Sequence, residues 1–198
     1  MRKIIVLSMV TLDGVIQAPG LPDEDTEGGF EFGGWVAPFQ SDELSKILEE
    51  HVEAADLLLG RRTFEIFEAY WPERSEFWPG VNEVNKYVLS HSRNESTWQN
   101  CHFFQDIEDI KALKSAGDAI LKVWGSSQLI HLLMEHDLVD EFWLQICPVV
   151  LGKGKRLFND GHISGAYSII DTYTAPKGVI VARYQRNGPV ETGSMDEI

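Results

Sequence analysis

What most constrains this chain is the alternation of short apolar runs with segments of helical spacing, and the point at which that alternation stops. Residues 3–10, KIIVLSMV, are apolar and rich in β-branched side chains, and Asp13-Gly14 closes the run, as expected of a buried strand. Similar runs follow at 56–59, at 86–90 (KYVLS), at 119–124, where only Lys122 interrupts, and at 139–147, where Phe142, Leu144 and Ile146 alternate onto one face. Helical spacing fills the gaps. Ser41 is a good N-cap, Asp42 and Glu43 suit the first turn, and Leu44, Ile47, Leu48 and Val52 make one stripe. Residues 63–70 carry Phe64 and Phe67 on one side before Pro72, and Asp106 opens a helix with Ile107, Ile110 and Leu113 facing inward, stopped by Gly117. The rhythm then changes. Residues 167–174 and 179–186 both alternate and are joined by APKG, which reads as a hairpin. Strands alternating with helices, then an antiparallel end, predict an α/β mixed sheet with helices on both faces. With 198 residues and no linker, one domain over 1–187 is expected, with a polar tail at 188–198.

The composition narrows the function. There are 31 acidic against 17 basic residues, a formal charge of −14, which disfavours nucleic acid or an anionic membrane as partner. Cys101 and Cys147 form no metal or disulfide pattern, and His131 and His136 are spaced wrongly for a helical metal pair, so no metal is expected. The N-terminus lacks a cleavage pattern and no apolar run is long enough to span a bilayer, so a cytoplasmic protein is expected.

In so acidic a chain, clustered cations are informative. Gly60-Arg61-Arg62-Thr63 lies where an apolar run meets a helix. A helix N-terminus offers unpaired N–H groups, Gly60 permits close approach, and the arginines can grip an anion, with Thr63 capping or donating its hydroxyl. An ordinary capped helix with two solvated arginines reads the same residues equally well. Gly125-Ser126-Ser127-Gln128 is a second strand-to-helix turn of small residues. Together the two turns suggest a ligand with more than one phosphate, although neither is a GxGxxG or Walker loop. Ser90-His91-Ser92-Arg93, at another strand end, could hold a further phosphate or be a polar turn.

The segments TLDGVI, LLLGRRTFE, KYVLSHS, VWGSSQLIHLLMEHDLVDE and ICPVVLGKGKRLF, in this order and spacing, resemble the dihydrofolate reductase superfamily. The likeness runs from about residue 2 to 186. It is greatest to the branch holding the C-terminal reductase domain of the riboflavin-biosynthesis deaminase-reductase and stand-alone bacterial proteins. That resemblance implies a mostly parallel sheet with flanking helices and NADPH as hydride donor. It places Arg61 on the 2′-phosphate with Ser90 and His91. Arg62 and Thr63 take the pyrophosphate from one side, and Gly125, Ser126, Ser127, Gln128 and Leu129 take it from the other. Met9 and Ile16 flank the nicotinamide, and loop 12–16 closes over it. A glycine pair common in the family is here Gly125-Ser126. Asp42 and Glu43, the candidates for a pterin-gripping acid, suit a helix N-terminus as well, so dihydrofolate itself is not indicated.

The expected function is thus an NADPH-dependent reductase of a small pterin- or pyrimidine-like heterocycle. The alternatives are a non-catalytic, regulatory nucleotide-binding protein on the same fold and a flavin-binding protein. Phe30, Trp35, Phe64, Tyr70 and Trp71 (with Phe32) could form an aromatic substrate pocket, or could cover the core beneath the long loop 17–40. Lys153, Lys155 and Arg156 could bind a sugar phosphate or form a solvated turn. Asp13, Glu65 and Glu68 are the candidate proton donors, with bound water an equal one. Trp143 and Tyr184, on alternating strands, could seek a second copy and give a homodimer.

Overall fold

The computed structural model describes residues 1–160 and 163–195. Residues 196–198, the end of the expected polar tail, lie outside the described residues. Among the described residues eight strands form one sheet: β1 (Ile4–Thr11), β2 (Asp56–Gly60), β3 (Lys86–Leu89), β4 (Cys101–Phe104), β5 (Leu121–Trp124), β6 (Glu141–Cys147), β7 (Ala166–Thr174) and β8 (Ile180–Gly188). Their order is β4-β3-β2-β5-β1-β6-β8-β7. The strands from β4 to β6 run parallel, and β8 and β7 add antiparallel at one end. The α/β mixed, mostly parallel sheet with a terminal hairpin is therefore the observed architecture.

Strands flanked on both sides need apolar residues on both faces. In β1 the odd and even positions diverge accordingly. Ile4 and Val6 join a core with Leu121, Val123, Ile110 of α3 (Ile107–Ser115) and Ile130 of α4 (Ser127–Glu135). Ile5 and Leu7 face the other side, against Trp143. That side is covered by α1 (Asp42–Ile47), whose Leu44 is buried beside Val15 and Val181, and by α2 (Arg61–Tyr70), whose Phe64 packs on Leu57, Leu59 and Val88.

Three local features differ from expectation. β4, the short run CHFF, carries too little periodicity to show in the sequence; it forms because β3 offers it a parallel ladder. The helix expected at 63–70 begins at Arg61, with Gly60 as its N-cap residue. The stripe after Ser41 does not continue as one α-helix: α1 ends at Ile47, and a 3-10 turn covers Glu49–Val52. The long loop 17–40 is packed down, with Trp35 donating from Nε1 to the Gln17 carbonyl at 2.8 Å. No described helix is long and apolar enough to cross a membrane.

Candidate functional site

β2 and β5 are neighbours, yet their following helices leave in opposite directions. The chain goes from β2 through α2 to β3 on one side, and from β5 through α4 across β1 to β6 on the other. Helices that diverge from adjacent parallel strands leave a crevice beyond the strands' carboxyl ends, the usual place for a ligand in an open α/β sheet. The Gly60–Thr63 and Gly125–Gln128 turns both stand at this crevice, on one rim.

The two turns hold one another. Ser126 Oγ accepts the Gly60 N–H at 3.0 Å and donates to Thr63 Oγ1 at 2.7 Å. Gly60 fits because it has no side chain: a Cβ there would lie 3.1 Å from Ser126 Oγ and 3.2 Å from Ser126 Cβ. Gly125 and Ser126 both sit in the left-handed region, with φ of 52° and 62°. For serine this is an uncommon conformation that its surroundings must compensate, and the two Oγ hydrogen bonds do so. The expectation that Thr63 caps α2 is not met, because its hydroxyl is engaged with Ser126.

The helix starts at the rim differ from the others. α1 has Ser41 accepting from the Leu44 amide and two acids in its first turn; α3 has a capping box between Asp106 and Asp109. α2 and α4 have neither a side-chain cap nor an acidic residue in the first turn. Their opening N–H groups and partial positive charge are therefore left for something else.

The remaining phosphate candidates fall in order along the same rim. Gly60 pairs in register with Leu89, so Ser90 and His91 follow beside Arg61. The Ser90 hydroxyl already accepts from the Arg93 amide at 2.9 Å. On the other side Leu7 pairs with Trp124, which brings Met9 past the Gly125 turn. Ile16 is buried, and its amide donates to the Lys155 carbonyl at 2.8 Å. Leu129 is core, so only its amide can face a ligand.

Both arginines have acidic partners. Arg61 Nη1 donates to both carboxylate oxygens of Glu65, at 2.8 and 2.9 Å. Arg62 pairs with Glu27, which also accepts from Lys155, while Asp25 takes Lys155 as well. The hydrogen bonds from Lys155 and Arg62, and then their charges, hold the Glu27 carboxyl down at about 2. Glu27 thus spans the rim as a carboxylate lying where the cations point.

The sequence profile of the RibD C-terminal domain matches residues 2–181 of this chain. The chain belongs to that family. The Bacillus subtilis protein YyaP is 31% identical over 198 residues, covering 94% of this chain and 96% of its own length. YwjB of the same organism is 25% identical over 163 residues, covering 80% and 84%. Among solved structures, a putative riboflavin biosynthesis protein from Shewanella sp. PV-4 superposes with a TM-score of 0.70 at 21% identity, covering 93% of this chain and 99% of that one. Dihydrofolate reductase from Enterococcus faecalis, complexed with NADP(H) and RAB-propyl, superposes at 0.62 and 18% identity, covering 93% and 96%. These likenesses show a reductase-like fold for this RibD C-terminal domain protein.

The candidate acids of this RibD C-terminal domain are engaged elsewhere. Burial works against the Asp13 charge, but hydrogen bonds from the Thr11 hydroxyl and the Gly152 and Leu151 amides outweigh it and lower its pKa. Asp13 is an acceptor that ties loop 12–16 to residues 151–152, which is the wrong protonation state for an acid. Glu68 binds Arg93 at 2.7 Å and the Ser96 hydroxyl. The five aromatics expected to share a substrate pocket are divided. Phe30 and Trp35 pack with Val15 and Leu44, whereas Phe64 and Trp71 belong to the core under α2, and Tyr70 lies outside beneath Arg74. Lys153 and Lys155 do border a cavity of about 270 Å³, with Phe30 and Gln17.

One cluster was missed by the sequence reading. Beneath the rim, on the α1 side, His51 packs edge-on against Trp124 and Trp143, with ring centroids 6.5 and 5.1 Å away. Lys122 donates to the carbonyls of His51 and Glu53 at 3.2 and 2.9 Å. His51 Nδ1, Trp124 Nε1 and Gln145 Oε1 are buried without a hydrogen-bond partner among the described residues. Burial, then the nearby charges of Lys122 and Arg183, depress the His51 pKa to about 4. Lys122 interrupting an apolar strand was the one signal of this polar interior.

Proposed function

We propose that this protein is an NADPH-dependent reductase of a small pterin- or pyrimidine-like heterocycle. The observation that carries the reading is the pair of uncapped, acid-free helix starts meeting at one crevice, with Arg61 and Arg62 beside them in a chain of charge −14. Such helix starts bind phosphate through backbone N–H groups. On this reading Arg61, with Ser90 and His91, takes the 2′-phosphate. Arg62 and the amides of residues 126–129 take the pyrophosphate. Met9 and Ile16 bound the nicotinamide. When bound, NADPH supplies a hydride. The chain's own part is to orient the acceptor and keep water away. Because Asp13, Glu65 and Glu68 are each engaged, the proton comes from water.

The test is NADPH affinity followed by NADPH oxidation with a panel of pterin, pyrimidine and quinone-like acceptors. Arg61→Ala is expected to weaken NADPH by about 10- to 150-fold, the loss of a charge-assisted contact of roughly 1.5–3 kcal/mol, while leaving NADH little changed. Equal weakening of both cofactors removes Arg61 from the 2′-phosphate. Tight NADPH binding without turnover on any acceptor favours a regulatory nucleotide-binding protein.

A further inference from the structure

The basic stretch 153–156 borders a cavity of its own. Val15 bridges to Arg156, the Ile16 amide donates to the Lys155 carbonyl at 2.8 Å, and the Lys155 amide donates to Gln17 Oε1 at 3.0 Å. Gln17 is buried, and its Nε2 donates to the carbonyls of Asp25 and Glu27 at 3.0 and 3.1 Å. Gly154 closes the wall: its φ is 124°, and a Cβ there would lie 2.7 Å from Val15 Cγ1 and 2.9 Å from Phe30 Cε2. Between these walls lies the cavity of about 270 Å³, lined by Gln17, Glu27, Gly28, Phe30 and residues 153–155. Buried contacts fix its backbone, but its charges are held loosely. Lys153 Nζ meets Glu31 at 2.9 Å, and Lys155 Nζ meets Glu27 at 2.7 Å and also Asp25. Glu31 and Glu27 are 70% and 53% exposed, and ion pairs of that kind are weak.

We propose that this cavity binds a small dianion of the phosphate type through Lys153 and Lys155, and that Glu27 links it to the rim. Two ammonium groups at one fixed mouth suit a compact double charge better than single carboxylates on separate side chains. The volume is below the roughly 300–1,000 Å³ of pockets for drug-sized ligands. The occupant is therefore a free ion or the phosphoryl end of a small ester, and not a dinucleotide. Solubility does not call for lysines here in a chain with 31 acidic residues. The link follows from Glu27, which Arg62 and Lys155 hold jointly. An anion that takes Lys155 leaves Glu27 on Arg62 alone, and one that takes Arg62 leaves it on Lys155 alone. Each anion thus loosens the competitor of the other, and the two effects are equal by linkage. This half of the proposal rests on the rim holding NADPH.

A proton–nitrogen NMR titration of the full chain with inorganic phosphate, with sodium chloride adjusted to hold the ionic strength, tests both halves. Saturable shifts are expected at the amides of Gly28, Gly154 and Lys155. Lys153→Ala combined with Lys155→Ala should weaken the binding they report by at least about tenfold, the loss of two charge-assisted contacts, with unchanged circular dichroism. Glu27→Gln removes the competitor and keeps its shape, so it should tighten the same binding by up to about fivefold, the reach of an exposed ion pair. With NADPH saturating the rim, phosphate at the cavity should tighten by a similar factor. Glycerol 3-phosphate binding more tightly than inorganic phosphate assigns the cavity to an ester, and the reverse order assigns it to the free ion. Shifts that stay linear, or that survive the double lysine substitution, overturn the site. Phosphate binding weakened by NADPH overturns the link. If NADPH moves no amide of residues 60–63 and 125–129, the rim reading and the link fail together, and the cavity titration still decides the site.

Discussion

The bond between the two rim turns can be measured through Ser126. This residue sits at φ 62° and ψ 63°, where a non-glycine residue is disfavoured by about 1–2 kcal/mol. Its Oγ accepts the Gly60 N–H and donates to Thr63. Ser126→Ala keeps the strained backbone and removes both bonds. It also leaves the Gly60 amide without its acceptor in a partly buried site, so about 2 kcal/mol of stability should be lost. Ser126→Gly removes the same bonds but relieves the left-handed strain, and should lose about 1 kcal/mol less than the alanine variant even after the greater freedom of glycine in the unfolded chain. The order expected in urea unfolding is therefore serine, then glycine, then alanine, at constant slope. Thr63→Val combined with Ser126→Ala should show a coupling of about 1 kcal/mol in a double-mutant cycle. An alanine variant as stable as the parent would falsify the claim that this serine fastens the rim. Zero coupling would mean that Thr63 is not its partner.

Glu27→Gln should tighten NADPH a few-fold at low salt and not at high salt, because a screened competitor for Arg62 has been removed; weaker binding measured by titration would show instead that the 25–27 segment supports the site. His51 is neutral when folded, with a pKa of about 4 against an ordinary 6.5. The unfolded chain takes up a proton that the native state refuses, so the stability His51 confers is full above pH 6.5 and is lost as pH falls from 6.5 to 4. At 1.36 kcal/mol per pH unit this is about 3 kcal/mol at most. Urea unfolding at pH 7.5 and pH 4.5 should show the parent losing that much more than His51→Phe, and parallel losses would contradict the assignment.

The parts of the site that were legible in the sequence are those whose chemistry is local. A strand ending in Gly60, two arginines and a helix start can be read from adjacent residues, and so can Gly125-Ser126-Ser127-Gln128. That the two turns meet depends on β2 lying beside β5, a pairing between residues about sixty positions apart that no window of sequence contains. Separations of 35 and 63 residues hid Glu27 from Arg62 and Ser126 from Thr63, so a hydroxyl that local rules assign to a helix cap is spent across the crevice. Aromatic residues misled for a related reason. Phe64 and Phe30 are interchangeable by type, and only the tertiary packing of α2 and of the long loop sends one under Trp98 and the other against Val15. β4 escaped because four residues carry less periodicity than the neighbour that recruits them.

The charge arrangement ties fold to function. This chain places acids at the starts of α1 and α3, where they stabilise a helix end at little cost, and excludes them from the first turns of α2 and α4. If stability alone governed, capping all four would add about 1 kcal/mol at each end left bare. The omission is confined to the two helices that flank the crevice, so it is read most simply as room kept for a ligand's anion. The loop that reaches over the rim supplies a substitute: Glu27 and Asp25 neutralise Arg62 and Lys155. The Glu27–Arg62 contact costs little to break, because both side chains are more than half exposed and pairs of this kind are weak. A phosphate that also engages the helix amides has partners Glu27 cannot reach, and it can therefore displace the carboxylate.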